Sequence, residues 1–258
     1  MAAIPVSAFI ITKDEADRLP TALASLRDLV DEILVVDSHS TDGTVALAEA
    51  AGARVVVRDW PGYGAQKIYA EAACRHDWVL NLDADEALTP ALADEIRALF
   101  ADGAPRDAGF WLRRKMVHFA DPGPRRLAPV DLWLRLYDRR RAGFRDSPVH
   151  DAVLVREGRT GRLRGLMLHH SFRSFSHFRE KLDRYTSAQA ADMVARGRVP
   201  PAWRAALERV GAFAKGYVAK GWWAFGIDGL RLAAHYAAAR HARLVKARAL
   251  ARERGLLR

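Results

Sequence analysis

Trp78-Val79-Leu80-Asn81-Leu82-Asp83-Ala84-Asp85-Glu86 decides the fold: a short apolar run closes on three acids within four residues. The apolar part predicts a buried strand over 78–83. A buried strand is a poor place for charge, so the acids belong where the strand leaves the sheet. Two carboxylates one residue apart at a strand's carboxyl end can hold a hard divalent cation through oxygen, and that cation can hold a diphosphate. A lone Asp-x-Asp also occurs in many surface loops, so the surrounding chain has to carry the reading.

Upstream, the pattern repeats. Ile4–Thr12 is a β-branched-rich strand, followed by Lys13-Asp14-Glu15 and a helix with Leu19, Leu23, Leu26 and Val30 near helical spacing. Acids in a first helical turn also suit the macrodipole, which gives Asp14 and Glu15 a purely structural reading. Ile33–Asp37 is a second continuous apolar strand closing on an acid, with Ser38–Thr44 as a turn cluster. Val45–Ala51 is a helix ending at Gly52, and Ala53–Val57 is a third strand. A Gly-rich loop over 59–66 leads into a helix bearing Lys67 and Glu71. Alternating strands and helices with short links predict an α/β fold with a mostly parallel sheet covered on both faces, where ligands bind outside the carboxyl ends of the strands. Three of the four strands end there in Thr12-Lys13-Asp14, Asp37-Ser38 and Asp83-Ala84-Asp85. No Gly-x-Gly-x-x-Gly follows the first strand, so a bound nucleotide would need metal and basic side chains, Lys67 among them, for its phosphates.

The charge is unevenly spread. Residues 1–100 carry 8 Lys+Arg against 17 Asp+Glu, whereas residues 161–258 carry 20 against 6. An acidic front half suits a metal-dependent site, and a basic tail suits an anionic partner or a solvated helical face. The one cysteine, Cys74, excludes a disulfide framework. No basic, apolar leader opens the sequence and no run of about 18 apolar residues occurs, so neither a signal peptide nor a spanning helix is expected.

Beyond a helix at 90–100, two aromatic and Arg-rich strands are expected at 109–114 and 132–137. The Pro- and Gly-containing loop between them is long enough for an acceptor-side wall. Asp146, His150 and Asp151 fall in one short connection, and 153–155 with 163–168 reads as a hairpin leading to His169-His170. From 174 the pattern is helical to the end, interrupted at Pro200-Pro201. Trp222, Trp223 and Phe225 beside lysines, followed by an Arg-rich helix, fit either an interfacial segment on anionic lipid or core packing.

IPVSAFIITKDEADRLPTALASL, ILVVDSHSTDGT, GYGAQK and WVLNLDADEAL, in that order, resemble glycosyltransferase family 2, whose fold is GT-A. LWLRLYDRRRAGFRDSPVHDAVL and LHHSFRSFSHFREKLDRYTSAQA resemble its subgroup that adds glucose or a similar sugar to the lipopolysaccharide inner core. The resemblance implies a GT-A catalytic domain over 1–172, with a nucleotide-sugar half at 1–100 and an acceptor half at 101–172, and a basic helical extension over 173–258. It implies donor contacts from Thr12, Asp14, Glu15, Asp37, Lys67 and Asp83, with Mg²⁺ or Mn²⁺ on Asp83 and Asp85. Asp151 stands where the subgroup has Glu and is the expected base, with Asp146 as second candidate because Asp151 is one methylene shorter. His169 or His170 could complete the metal's coordination or serve structurally. His39 stands where relatives commonly have Gly.

The implied reaction is inverting transfer of a hexose from a UDP-sugar, UDP-glucose first, to a lipopolysaccharide core or similar acceptor. The implied location is the cytoplasm, peripheral on the inner face of a bacterial inner membrane. Two other classes compete with this reading. A nucleotidyltransferase forming nucleotide sugars would carry a Gly-rich basic phosphate loop after its first strand, and Lys13-Asp14-Glu15-Ala16 is not one. A basic nucleic-acid-binding protein is prompted by a pI near 10.1, but the acidic strand ends and the lack of a recognisable motif oppose specific nucleic-acid binding.

Overall fold

The computed structural model describes residues 3–145 and 152–256. The chain forms two compact units, Met1–Met116 with Val130–His170, and Val117–Pro129 with Ser171–Arg258. The loop at 117–129, expected in the acceptor half, therefore groups with the C-terminal residues.

In the first unit, β1 (Ile4–Thr12) is central, with β2 (Val30–Asp37) on one side and β4 (Trp78–Asn81) on the other, all parallel. β3 (Arg54–Val57) extends the parallel half beyond β2. β1 is apolar almost throughout because both its faces are covered. Val6, Ala8 and Ile10 pack with Leu19, Leu23 and Leu26 of α1 (Leu19–Leu26) and with Leu92 and Ile96 of α4 (Pro90–Leu99). Phe9 points the other way, into a cluster with Ala70 of α3 (Tyr63–Ala73), Val79 and Tyr137. Pro90 sits in the first turn of α4, where its missing N–H costs nothing, and Thr89 caps that helix by accepting from the Leu92 N–H.

The other half of the sheet is mixed. β7 (Val130–Asp138) is antiparallel to both β4 and β6 (Gly109–Met116); β10 (Thr160–His169) is parallel to β6; β5 (Glu86–Leu88) closes the edge antiparallel to β10. The order is β3-β2-β1-β4-β7-β6-β10-β5. This helix-flanked sheet is a GT-A fold, as the resemblance implied. Two local expectations are corrected. The strand read to Asp83 stops at Asn81, and the chain turns at once, with Glu86 N donating to Asp83 O at 2.9 Å. The hairpin expected between 153–155 and 163–168 does not form. Instead β9 (Val153–Val155) pairs with β8 (Ala142–Phe144), and the longer β10 joins the main sheet, where its ladder is worth more.

The second unit is helical: α5 (Phe175–Ala195), α6 (Ala202–Ala214) and α7 (Ile227–Glu253). Besides the break at Pro200-Pro201, the chain is interrupted between α6 and α7 by a π-turn at Lys215–Ala219 and a 3₁₀ turn at Trp222–Phe225. Ala190 and Val194 of α5 pack with Ala247 and Ala251 of α7, small side chains that let the helices approach. Trp222 and Phe225 are buried and Trp223 is exposed, so two of those three aromatics are core. Several α7 bases are also engaged within the unit, Arg240 on Glu208 at 2.7 Å and Lys246 on Asp183 at 2.6 Å. Among the described residues no helix is long and apolar enough to cross a membrane.

Candidate active site at the carboxyl edge of the sheet

The parallel register sets Thr12 beside Asp37 at the ends of β1 and β2. Thr12 Oγ1 donates to Asp37 Oδ1 at 2.9 Å, and Ser40 donates to Asp37 through its backbone N at 2.7 Å and its hydroxyl at 2.5 Å. A carboxylate this buried is tolerable only because both oxygens are hydrogen-bonded. The loops after the two strands are laced together. Asp14 accepts from Thr41 N at 2.8 Å, the Asp14 N–H donates to Ser40 Oγ at 2.8 Å, and the Glu15 N–H donates to Thr44 Oγ1 at 2.9 Å. His39 has φ 59, the left-handed region that favours glycine. This gives a physical reason for the Gly that the resemblance leads one to expect there.

At the end of β4 lies a knot of charge. Lys67, 1% exposed, reaches from α3 to Asp83 Oδ1 at 2.9 Å, and Arg135 of β7 reaches Asp83 Oδ2 at 2.7 Å. Arg135 also donates to Glu86 at 2.8 Å and to the Asn81 side-chain oxygen, and Glu86 accepts from the Asp83 N–H at 3.1 Å. Burial alone would push the Asp83 carboxyl up, but the Arg135 and then the Lys67 charge hold it well below the usual carboxylate range. Lys67, expected among the donor contacts, is thus enclosed with its ammonium on Asp83.

Asp85 faces a different neighbourhood. Its Oδ2 lies 3.3 Å from Arg18 and 3.5 Å from His169 Nε2. Arg18 is gripped on its other side by Glu15, at 2.7 and 2.5 Å. The His170 N–H donates to the Asp85 carbonyl at 2.8 Å. Burial, with His169 adding to it, lowers the His170 pKa, which favours its neutral ring. Arg18, Asp85, Glu86 and His170 line a cavity of about 130 Å³.

Among the described residues no three His, Cys, Asp or Glu side chains form a metal cage. Hard cations in diphosphate sites are ordinarily held by one or two carboxylates plus substrate phosphates and water. The Asp85–His169 pair at a strand end fits that kind of site. Asp83, by contrast, has both oxygens on cationic side chains.

The structure thus gathers Thr12, Asp14, Glu15, Asp37, Lys67, Asp83 and Asp85 at one edge of the sheet. Asp151 and Asp146, the expected base and its alternative, lie outside the described residues. Sequence reading missed Arg18 and Arg135, the two guanidiniums that hold the acids. Arg135 sits mid-strand in LWLRLYD, and an arginine flanked by apolar residues in a strand otherwise fit for burial was the available signal. Arg18 sits in a polar turn and gave none.

The Glycosyl transferase family 2 pattern matches residues 7–156. A glycosyltransferase of Rickettsia felis is 39% identical over 94% of this chain and 89% of its own length. The lipopolysaccharide core biosynthesis glycosyltransferase LpsC of Rhizobium meliloti is 31% identical over 88% of this chain and 85% of its own. Among solved structures, glucosyl-3-phosphoglycerate synthase of Mycobacterium tuberculosis, in complex with Mg²⁺ and uridine diphosphate, is 27% identical, covers 45% of this chain and 44% of that one, and superposes with a TM-score of 0.35. With the family pattern matching residues 7–156, more than half of the chain, and a relative 39% identical over 94% of it, this chain belongs to glycosyltransferase family 2 and is a glycosyltransferase.

Proposed function

We propose that the chain transfers a hexose, glucose in the first instance, from a UDP-sugar to a lipopolysaccharide core or similar glycan acceptor, with inversion at the anomeric carbon. The observation that carries this reading is the contrast between Asp83, both of whose oxygens are held by Lys67 and Arg135, and Asp85, which lines a cavity with one oxygen near Arg18 and His169. The name of the Rhizobium meliloti relative supports the acceptor class.

Thr12, Asp14, Glu15 and Asp37 take the nucleoside end of the donor. Their cross-linked loops are pre-organised, so little ordering is left for binding to supply. Lys67 and Arg135 fix the Asp83 carboxylate and with it the turn that aims Asp85. Mg²⁺ or Mn²⁺ would sit on Asp85 with His169, and when bound it supplies Lewis-acid stabilisation of the departing diphosphate. An acceptor hydroxyl is a weak nucleophile, so a carboxylate must take its proton during attack; Asp151 takes that role, with Asp146 as the alternative. Single displacement needs one base and no covalent sugar–enzyme intermediate.

The test is UDP release from a panel of UDP-sugars, with and without a lipid-free core oligosaccharide, in wild type, Asp151→Asn and Asp146→Asn. One variant should lose acceptor-dependent turnover by at least about a hundredfold while keeping UDP affinity. Full activity in both variants would remove these acids from the mechanism. Turnover of GDP- or CDP-sugars in place of UDP-sugars would overturn the donor assignment.

A further inference from the structure

Helix α6 presents its apolar residues outward. Trp203, Leu207 and Val210 are 66%, 62% and 73% exposed, and at spacings of four and three they lie on one face. Ala205 and Ala212, on the opposite face, are the buried ones. Amphipathic helices of globular domains are built the other way, with large apolar side chains inward. The helix's one acid, Glu208, does not reach the outward stripe, since it binds Arg240 at 2.7 Å and Arg243 at 3.4 Å. Arg204 and Arg209, both exposed, fall on either side of the stripe, where long stems can lie along apolar surface while the charged ends stay in polar surroundings.

We infer that this face of α6 is a docking surface for an anionic phospholipid bilayer, with Trp203, Leu207 and Val210 entering the headgroup boundary and Arg204 and Arg209 meeting lipid phosphates. A bilayer fits better than a second copy of the chain for two reasons. The three side chains offer roughly a few hundred Å², against about 800 Å² per partner in a stable protein interface. A two-fold contact would also set arginines against the same arginines with no acid on that face to receive them. A row of apolar side chains bordered by bases is the pattern of a helix lying in a membrane interface, and Trp is favoured at that depth. The inference does not rest on the sugar donor or acceptor proposed above.

The experiment is co-sedimentation of the full chain with vesicles of phosphatidylcholine alone or mixed in equal parts with phosphatidylglycerol, at low and high salt, with sedimentation velocity of the free protein alongside. Binding to the mixed vesicles is expected, weakened about tenfold or more without the anionic lipid or at high salt. The double substitution Leu207→Ser with Val210→Ser should weaken it by at least about tenfold, and Arg204→Ser with Arg209→Ser should do the same only on anionic vesicles. Melting temperature and UDP affinity should stay as in wild type for each variant, because these residues lie outside the donor machinery. No binding to mixed vesicles would overturn the inference. So would binding that the apolar double variant leaves intact, which would reduce it to the general attraction of a basic protein. A concentration-dependent dimer that the same variant dissolves would overturn it in favour of self-association.

Discussion

The carboxyl edge of the sheet and the outer face of α6 depart from the usual partition of side chains in opposite directions. At the sheet edge the chain buries charge: Lys67, Arg135, Asp37 and Glu86 are all almost wholly enclosed. On α6 it exposes Trp203, Leu207 and Val210. Each departure has a cost, desolvation in one case and apolar hydration in the other. They differ in how the cost is met. The sheet edge meets it internally, since each buried charge has an opposite charge or a hydrogen-bond donor within reach. Nothing within α6 offsets its exposed stripe. A charge network paired from within reads as a pre-organised site, and an apolar surface left to solvent reads as a site for something outside the chain.

The sharpest way to break the comparison is at Asp85. Asp85→Ala should reduce transfer by at least about a hundredfold with the fold intact, because the lost carboxylate would hold the cation that offsets charge on the departing diphosphate rather than serve packing; kcat and the melting curve check the two halves of the statement. Arg135→Ala should act on the fold as well as on transfer. It leaves Asp83 to Lys67 and Glu86 to Arg114 and takes the cation from the Asn81 side chain, and urea unfolding should show a loss of about 3–5 kcal/mol.

The pH dependence sharpens the same point. The Asp83 carboxyl is held well below its ordinary range in the folded state, so the stability it contributes is complete above the unfolded value of about 3.9 and drains away as pH falls through the lower folded value. Acid unfolding of wild type should therefore be steeper than that of Asp83→Asn. On α6, Leu207→Ser should change unfolding free energy by no more than about 0.5 kcal/mol, the mark of a side chain that lies mostly in solvent. Smallest of all, His39→Gly should be neutral or stabilising by up to about 1 kcal/mol, since it relieves a left-handed backbone in the loop after β2; thermal melting measures it.

The two regions were also unequally legible in the sequence. β1, β2 and β4 announced themselves because strands covered on both faces must be continuously apolar, and their closing acids stood out against that background. Arg135 and Arg18 were hidden because a strand-borne or turn-borne arginine has no local signature for the carboxylate it will meet far along the chain. The β8–β9 pairing was hidden for a related reason: two short apolar runs do not reveal which neighbour they will join. In the C-terminal unit the signals misled. Trp222 and Phe225 sit among lysines and invite an interfacial reading, yet their rings are enclosed. The α6 pattern Trp203-Leu207-Val210 reads as an ordinary core-facing stripe, because period alone does not tell which way a helix is turned. The segment with Asp146 and Asp151 lies outside the described residues, so the assignment of the base rests on sequence.

The claim on which the rest depends is a metal-assisted nucleotide site at the carboxyl edge of the sheet. It is tested most directly by thermal shift with UDP, GDP, CDP and ADP, each with Mn²⁺ or with EDTA, in wild type and Asp85→Ala. At a hundred times its Kd, a ligand that binds only the folded chain stabilises it by about 2.7 kcal/mol. The expected result is a clear shift with UDP that is lost with EDTA and in Asp85→Ala. A UDP shift of equal size in all three conditions would contradict the role given to Asp85, and no shift with any nucleotide would contradict the donor site itself.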